Sequence, residues 1–448
     1  MRKLFNNFSH NPKNDILSGL TVALALVPEA VAFAFVAGID PLVGLYGAFM
    51  MGIVTALFGG RPGMISGATG AMAVVMVHMI QKGNEVGDAM QVPVENLGLQ
   101  WLFITLLFVG VIQISAGFLK LGKFVRLIPH PVMMGFVNGL AIVIFISQLG
   151  LFMKNVDGTP QNMEGSELWM MIGLVLLTMG IMFGLPKLTK KIPAALVAII
   201  VVAAITIFGH IEVSTVGTFI SDGGGEGLEG SLPSFQPQIF SFFGSLNGHW
   251  SLIVSTAFLM AAVGLIESLM TLNLVDDITE TRGSGNRECV AQGGANLLNG
   301  LFGGMGGCAM IGQSLINVNS GGRGRLSGVT AAIALLCFIL FGAPLIEQIP
   351  LAALVGVMFM VVIGTFAWNS VKFLMMVPKS DALVTVLVTV VTVLEDLAVA
   401  VIVGVIVSAL VYAWKTASRI RAIERPSKTD KGAKVYEIEG PLFFSSAN

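Results

Sequence analysis

FGGMGGCAMIGQSLINVN, spanning Phe302 to Asn319, has a counterpart early in the chain: Phe302-Gly303-Gly304-x-x-Gly307 repeats Phe58-Gly59-Gly60-x-x-Gly63. Each is followed by an apolar run too short to cross a bilayer as one helix. Matching Gly-interrupted segments in the two halves of a hydrophobic chain point to a transporter's binding site, where two half-helices start near the membrane midplane. Their free backbone N–H groups and positive dipole ends favour an anion. The competing reading is a pair of Gly-rich turns between helices.

The composition places these segments in a membrane. A chain of 448 residues with 55% hydrophobic and 11% charged residues and a mean hydropathy of +0.85 is not an ordinary soluble protein, whose charged share is about twice as large. Its 54 glycines stand singly or in pairs inside apolar runs, as in closely packed or interrupted membrane helices. Cys289, Cys308 and Cys337 have neither CxxC nor metal spacing, so they are expected to be small packing residues rather than a disulfide or a zinc site. The polar start, Met1 to Asp15, lacks a cleavage site after the first apolar run, and an uncleaved first membrane helix is expected.

Apolar runs of about 15 to 25 residues give fourteen segments, starting near Ile16, Leu42, Ala68, Leu102, Pro131, Leu168, Pro193, Leu252, Cys289, Cys308, Leu326, Leu351, Asp381 and Asp396. With a cytoplasmic N-terminus, every lysine and arginine except Lys82 and Lys154 falls inside, which fixes the orientation. The outside loops carry Glu85, Asp88, Glu95, Asp157, Glu164, Glu167, Asp222, Glu226 and Glu229, most simply solvated loop charges. The expected organisation is a cytoplasmic N-tail over 1–14, a first seven-span repeat over 15–208, an extracellular or periplasmic loop over 209–249, a second seven-span repeat over 250–415 and a basic linker over 416–434. An odd number of spans per half inverts the second repeat relative to the first. Ile128-Pro129 against Ile349-Pro350, and Glu29 against Glu267, extend the echo.

Two carboxylates, Glu29 and Glu267, fall within spans, which makes each a candidate for function. Glu267 has Thr271 four residues on, along the same helical face. A carboxylate beside a hydroxyl could ligate sodium, and one removed from water could hold a proton instead. Either cation would offset the charge of an anion in the same pocket. Glu267 could equally be a protonated hydrogen-bond partner locking two helices. Glu29 follows Pro28, which is expected to break the first helix. It could carry a second proton or satisfy the backbone opened there. Phe33, one turn beyond, could form an apolar wall of the pocket. Thr69 begins the first half-helix, and Gly312, Gln313 and Ser314 lie in the first turns of the second, so their amides and side chains could hold a small oxyanion. With no lysine or arginine inside the membrane, the anion would be bound by dipoles and hydrogen bonds alone, which suits release. No Walker loop, zinc motif or nucleophile triad is present, so no enzyme activity, cofactor or nucleic-acid partner is expected.

DILSGLTVALALVPEAVAFAFVAGIDPLVGLYGAF, IESLMT, NRECVAQGGANLLNGLFGG and INVNSGGRGRLSG resemble the SulP sulfate permease family over nearly the whole chain. The resemblance implies an all-α polytopic membrane protein with fourteen transmembrane segments in a seven-plus-seven inverted repeat. A core domain would move against a gate domain, usually within a homodimer. It puts the anion between half-helices at segments 3 and 10, beginning near Ala68 and Met310. Ala68, Thr69, Gly70, Ile311, Gly312, Gln313 and Ser314 then form the substrate-binding set, with Phe33 beside it. VYEIEGPLFFSSAN, over 435–448, looks like the start of a truncated STAS domain. Two departures bear on coupling. Sodium-dependent bicarbonate transporters of the family have Asp at Glu267, beside a threonine matching Thr271. Many members have Arg at Gln313. The longer carboxylate favours protons over sodium, and the missing arginine puts chloride or sulfate in question.

The expected function is therefore a secondary active transporter of a small inorganic or organic anion in a bacterial inner membrane, with both termini cytoplasmic. Bicarbonate, small carboxylates or dicarboxylates, and sulfate are the substrates considered. Coupling to protons through Glu29, Glu267 and Thr271 is expected, with an elevator-like movement. A sodium-coupled bicarbonate symporter, with sodium at Glu267 and Thr271, is the alternative, followed by an uncoupled exchanger or channel and then a nucleobase permease.

Overall fold

The computed structural model describes residues 8–9, 11–90, 94, 96–122, 129–156, 159–188, 194–222, 230–246, 248–370, 376, 378–394, 397–417, 421–426 and 434–439. Helices α1 (Pro12–Ala37), α2 (Pro41–Phe58), α3 (Gly70–Asp88), α4 (Leu97–Phe118), α5 (His130–Leu149), α6 (Gly165–Leu188) and α7 (Ala194–Phe208) precede the Gly-rich loop. A short helix, Val216–Asp222, and a 3-10 stretch, Pro237–Leu246, separate them from α8 (Trp250–Thr279), α9 (Gly285–Phe302), α10 (Ile311–Asn319), α11 (Arg325–Glu347), α12 (Leu351–Thr365), α13 (Lys379–Leu394) and α14 (Leu397–Ala417). Each expected segment start lies within five residues of one of these helix starts. Among the described residues seven helices, including α1, α4, α8 and α11, are long and apolar enough to cross a bilayer unaided.

Local chemistry sets the boundaries. Asn11 caps α1 by accepting from the Asn14 N–H at 3.3 Å, with Pro12 in the first turn. Gly38, in the left-handed region at φ 70°, ends the helix. Asp40 then caps α2 through the Leu42 N–H at 2.7 Å. The expected break at Pro28 does not occur, because α1 runs unbroken through it. α1 packs along its length against α2 and α11.

The chain divides into two compact units, one of Met1–Leu127 and Leu140–Phe366, the other of Ile128–Gly139 and Ala367–Asn448. In the first, helices from opposite halves of the sequence meet backbone to backbone. A Cβ at Gly293 of α9 would lie 2.6 Å from the Gly110 oxygen of α4, and one at Gly19 of α1 would lie 2.3 Å from the Ser327 oxygen of α11. Only glycine permits such approach, and this accounts for much of the glycine content. In the second unit α13 and α14 pack together, and Asn138 donates to Ser370 Oγ at 2.7 Å while accepting from the Ala367 N–H at 2.9 Å.

Strand pairs are short: β1 (Ser66–Ala68), β2 (Met153–Val156), β3 (Thr159–Asn162), β4 (Gly307–Ala309), β5 (Arg421–Pro426) and β6 (Lys434–Glu439). β2 pairs with β3 and β5 with β6, both antiparallel. β5 occupies part of the stretch expected as a linker. Glu95, Asp157, Glu226, Glu229 and residues 440–448 lie outside the described residues.

Candidate functional site

β1, from the first half, pairs antiparallel with β4, from the second, in the register Ser66↔Ala309, Gly67↔Cys308, Ala68↔Gly307. Their approach needs glycine on both sides, since a Cβ at Gly307 would stand 2.2 Å from the Gly67 oxygen. β1 leads through Thr69 into α3, and β4 leads through Met310 into α10. Because the strands are antiparallel, the two helices leave opposite ends of this ribbon, with their N-termini roughly 10 Å apart for three paired residues. Neither Thr69 nor Met310 caps its helix with a side chain. The first intrahelical bonds are accepted by Thr69 and Met310, from Ala73 and Ser314. The N–H groups of Gly70, Ala71 and Met72, and of Ile311, Gly312 and Gln313, precede them and carry the positive ends of the two dipoles.

α10 is nine residues long. α3 is longer, at nineteen residues. Its apolar part ends near Ile80, and the polar run Gln81 to Asp88 continues the helix where hydropathy alone reads a loop.

The expected site residues gather at this ribbon. Ala68 and Thr69 are buried. The Phe33 ring lies against the start of α3, its Cε1 2.8 Å from where a Gly70 Cβ would be, with Ile144 Cδ1 at 2.9 Å. Gly312 is exposed, and a Cβ there would have nothing within 4 Å. Ile311 beside it is partly exposed. Gln313 Nε2 donates to Glu29 Oε2, joining α10 to α1. Glu267 is joined to the other helix start: Cys308 Sγ donates to its Oε2 at 2.9 Å and lies 3.2 Å from Thr69 Oγ1. Thr271 Oγ1 donates to the Glu267 carbonyl at 2.9 Å and faces the Ala309 carbonyl at 3.4 Å. Ser314 faces away from the open space. Its hydroxyl accepts from the Ile65 N–H at 3.0 Å and ties the loop before β1 to α10.

A second set of residues holds the ribbon in place, and sequence reasoning missed it. Asn296 bonds both Gly307 backbone groups, Nδ2 to O and Oδ1 from N–H, each at 3.0 Å, and also donates to Gln113 Oε1 at 3.0 Å. Ser268 Oγ accepts from the Ala309 N–H at 3.1 Å. Gln292 donates to Ser66 Oγ at 2.9 Å and to Glu288 at 2.7 Å, and Glu288 accepts from the Gly60 N–H at 2.7 Å. Glu288, Gln292, Asn296 and Asn299 are all buried. Their spacing of four, four and three puts them on one face of α9. That polar stripe in an apolar chain was the available signal.

Arg61, placed among the inside charges, is likewise buried. Its Nε lies 3.2 Å from Asp276 Oδ1, and its Nη2 donates to Thr281 Oγ1 at 2.7 Å and to Thr279. Asp276, Asp277 and Glu280 line a cavity of about 500 Å³ at the end of α8.

Two segments from opposite halves meet as a ribbon that leads into α3 and α10, with Glu29 bonded to the first turn of α10 and Glu267 to the centre of β4, an arrangement suited to membrane transport. Residues 13–389 match the sulfate permease family. YbaR of Bacillus subtilis is 42% identical over 439 residues, covering 97% of this chain and 84% of that protein. A Picosynechococcus protein named bicarbonate transporter BicA is 36% identical over 411 residues, covering 89% of this chain and 69% of its own length. Among solved structures, the transmembrane domain of a cyanobacterial bicarbonate transporter BicA matches with a TM-score of 0.73 at 32% identity, over 87% of this chain and 97% of that one. SLC26A9 matches in fold alone, with a TM-score of 0.75 at 18% identity, over 94% and 68%. The chain belongs to the sulfate permease family. It is a multi-pass membrane protein and an anion transporter, with a small anion as its substrate.

Proposed function

We propose that this chain is a secondary active transporter that moves a small anion together with protons. The observation that carries the reading is the placement of Glu29 and Glu267, the first hydrogen-bonded to Gln313 in the first turn of α10 and the second to Cys308 in the middle of β4. An ionised carboxylate about 6 Å from a bound anion repels it by roughly 3 kcal/mol at an effective dielectric of about 20, or about a hundredfold in affinity. Cation binding to the carboxylate removes that penalty, so anion and cation load together. The anion sits against the free N–H groups of Gly70 and of Ile311, Gly312 and Gln313, with Ala68, Thr69 and Phe33 around it, while Ser314 holds α10 to the loop before β1. Bicarbonate, a small carboxylate or dicarboxylate, and sulfate all have the oxygens for such a site, and the name of the BicA relatives favours bicarbonate.

The wider reading has fourteen spans in a seven-plus-seven inverted repeat, both termini in the cytoplasm of a bacterium, and an elevator-like movement of a core against a gate domain in a homodimer. Sodium is the alternative coupling ion, and Thr271 Oγ1 and the Ala309 carbonyl near Glu267 favour it.

The test is Glu267→Gln in proteoliposomes. Cation-driven uptake is lost while the protein stays folded, as judged by gel filtration. Normal driven uptake in this variant contradicts the coupling role.

A further inference from the structure

We infer that Cys308 is a positioning residue that ties the coupling carboxylate, Glu267, to the anion-site hydroxyl, Thr69. The inference rests on the coupled-transport reading above and adds the link between its two ligands. Cys308 is fully buried in the middle of β4. Both of its neighbours are pinned, Gly307 by Asn296 at 3.0 Å in both directions and Ala309 by Ser268 at 3.1 Å. These bonds fix the backbone on either side of the thiol. Sγ stands 2.9 Å from Glu267 Oε2 and 3.2 Å from Thr69 Oγ1. Among the described residues, this thiol makes the hydrogen bond to the Glu267 carboxylate.

The direction of the chain follows from donor and acceptor capacity. A free carboxylate only accepts, so the thiol proton points at Glu267 and the Thr69 hydroxyl donates to the sulfur. In that arrangement the Thr69 proton is unavailable to an anion. When a cation occupies Glu267, the carboxylate's claim on the thiol weakens, and the Thr69 hydroxyl can turn and donate to the incoming anion. Cys308 thus makes anion binding sensitive to the cation without touching the anion. A packing cysteine would do no such thing.

The experiment compares wild type, Cys308→Ala and Cys308→Ser in proteoliposomes, using whichever of radiolabelled bicarbonate, sulfate and succinate the wild type takes up. Two quantities are read: accumulation driven by a cation gradient, and exchange with equal cation on both sides. Loss of one hydrogen bond to a charged group predicts that Cys308→Ala lowers driven accumulation about tenfold, with exchange kept within about twofold. Serine, which both donates and accepts, restores at least half of the accumulation. Equal coupling in wild type and Cys308→Ala overturns the inference. So does a parallel loss of both quantities, or failure of serine to rescue. A wild type whose uptake ignores both proton and sodium gradients instead overturns the coupled-transport reading, and the wild-type arm alone reveals it. If Cys308→Ala does not fold, infrared difference spectra of the intact protein decide. The inference requires the Cys308 S–H stretch to shift when the cation is added, in a background with Cys289→Ala and Cys337→Ala, and an unmoved band refutes it.

Discussion

The two helix starts differ in one respect that a substitution series at Gly312 exploits. A Cβ at Gly312 has no atom within 4 Å, whereas one at Gly70 meets Phe33 Cε1 at 2.8 Å and Ile144 Cδ1 at 2.9 Å. Gly312→Ala therefore creates no clash, and the better helix former gains about 0.5–1 kcal/mol of stability. In the proposed site the same side chain stands where the anion would approach the first-turn N–H groups of α10. Each charge-assisted hydrogen bond it blocks removes about 1.5–3 kcal/mol of binding, or roughly 10- to 150-fold in Kd. Gly312→Ala, Gly312→Leu and Gly312→Trp are expected to weaken anion binding stepwise while the thermal midpoint in detergent holds or rises. Gly70→Ala loses both, because Phe33 and Ile144 must shift. Isothermal titration with the transported anion and a thermal melt of each variant provide the two readings. Unchanged Kd across the Gly312 series would move the anion site elsewhere, and a lower midpoint for Gly312→Ala would refute the open space beside it.

The remaining expectations concern the frame. Asn296→Leu leaves the buried N–H and C=O of Gly307 without partners, at about 1–3 kcal/mol each, so its thermal midpoint falls and anion binding is lost with it. Asn296→Asp, which keeps an acceptor for the N–H, lies between it and wild type. Arg61→Met removes a buried ion-pair partner from Asp276 and costs about 3 kcal/mol. The double variant with Asp276→Asn recovers part of that loss in a thermal melt, and a single variant as stable as wild type would show that the pair is idle.

The helical membrane architecture was legible because hydropathy and glycines set inside apolar runs both report on closely packed membrane helices. Thr69, Gly312 and Gln313 could be placed at helix starts because a helix start after a Gly-rich break is a local signal, and those starts follow the two strands of one ribbon. The rest depended on tertiary context. Pro28 reads as a break, yet α1 passes through it and packs against α2 and α11. Gln81 to Asp88 read as a loop because hydropathy cannot distinguish a polar helix end from a turn. Arg61 was counted among the inside charges, but counting charges by side says nothing of burial, and its partner is more than two hundred residues away in sequence. Cys308 carried no motif at all, since its meaning lies in Glu267 and Thr69, neither of which is near it in the chain. The polar stripe on α9 was readable and marks the frame of the site rather than the site itself.

Gradient-driven uptake by the wild type tests the central claim most directly. Radiolabelled bicarbonate, sulfate and a dicarboxylate are offered to proteoliposomes under an inward proton gradient, an inward sodium gradient, or neither. The account predicts accumulation of one of these anions above equilibrium under the proton gradient alone. Accumulation only under sodium would reassign Glu267 and Thr271 to that ion, and equal flux under all three conditions would contradict coupled transport.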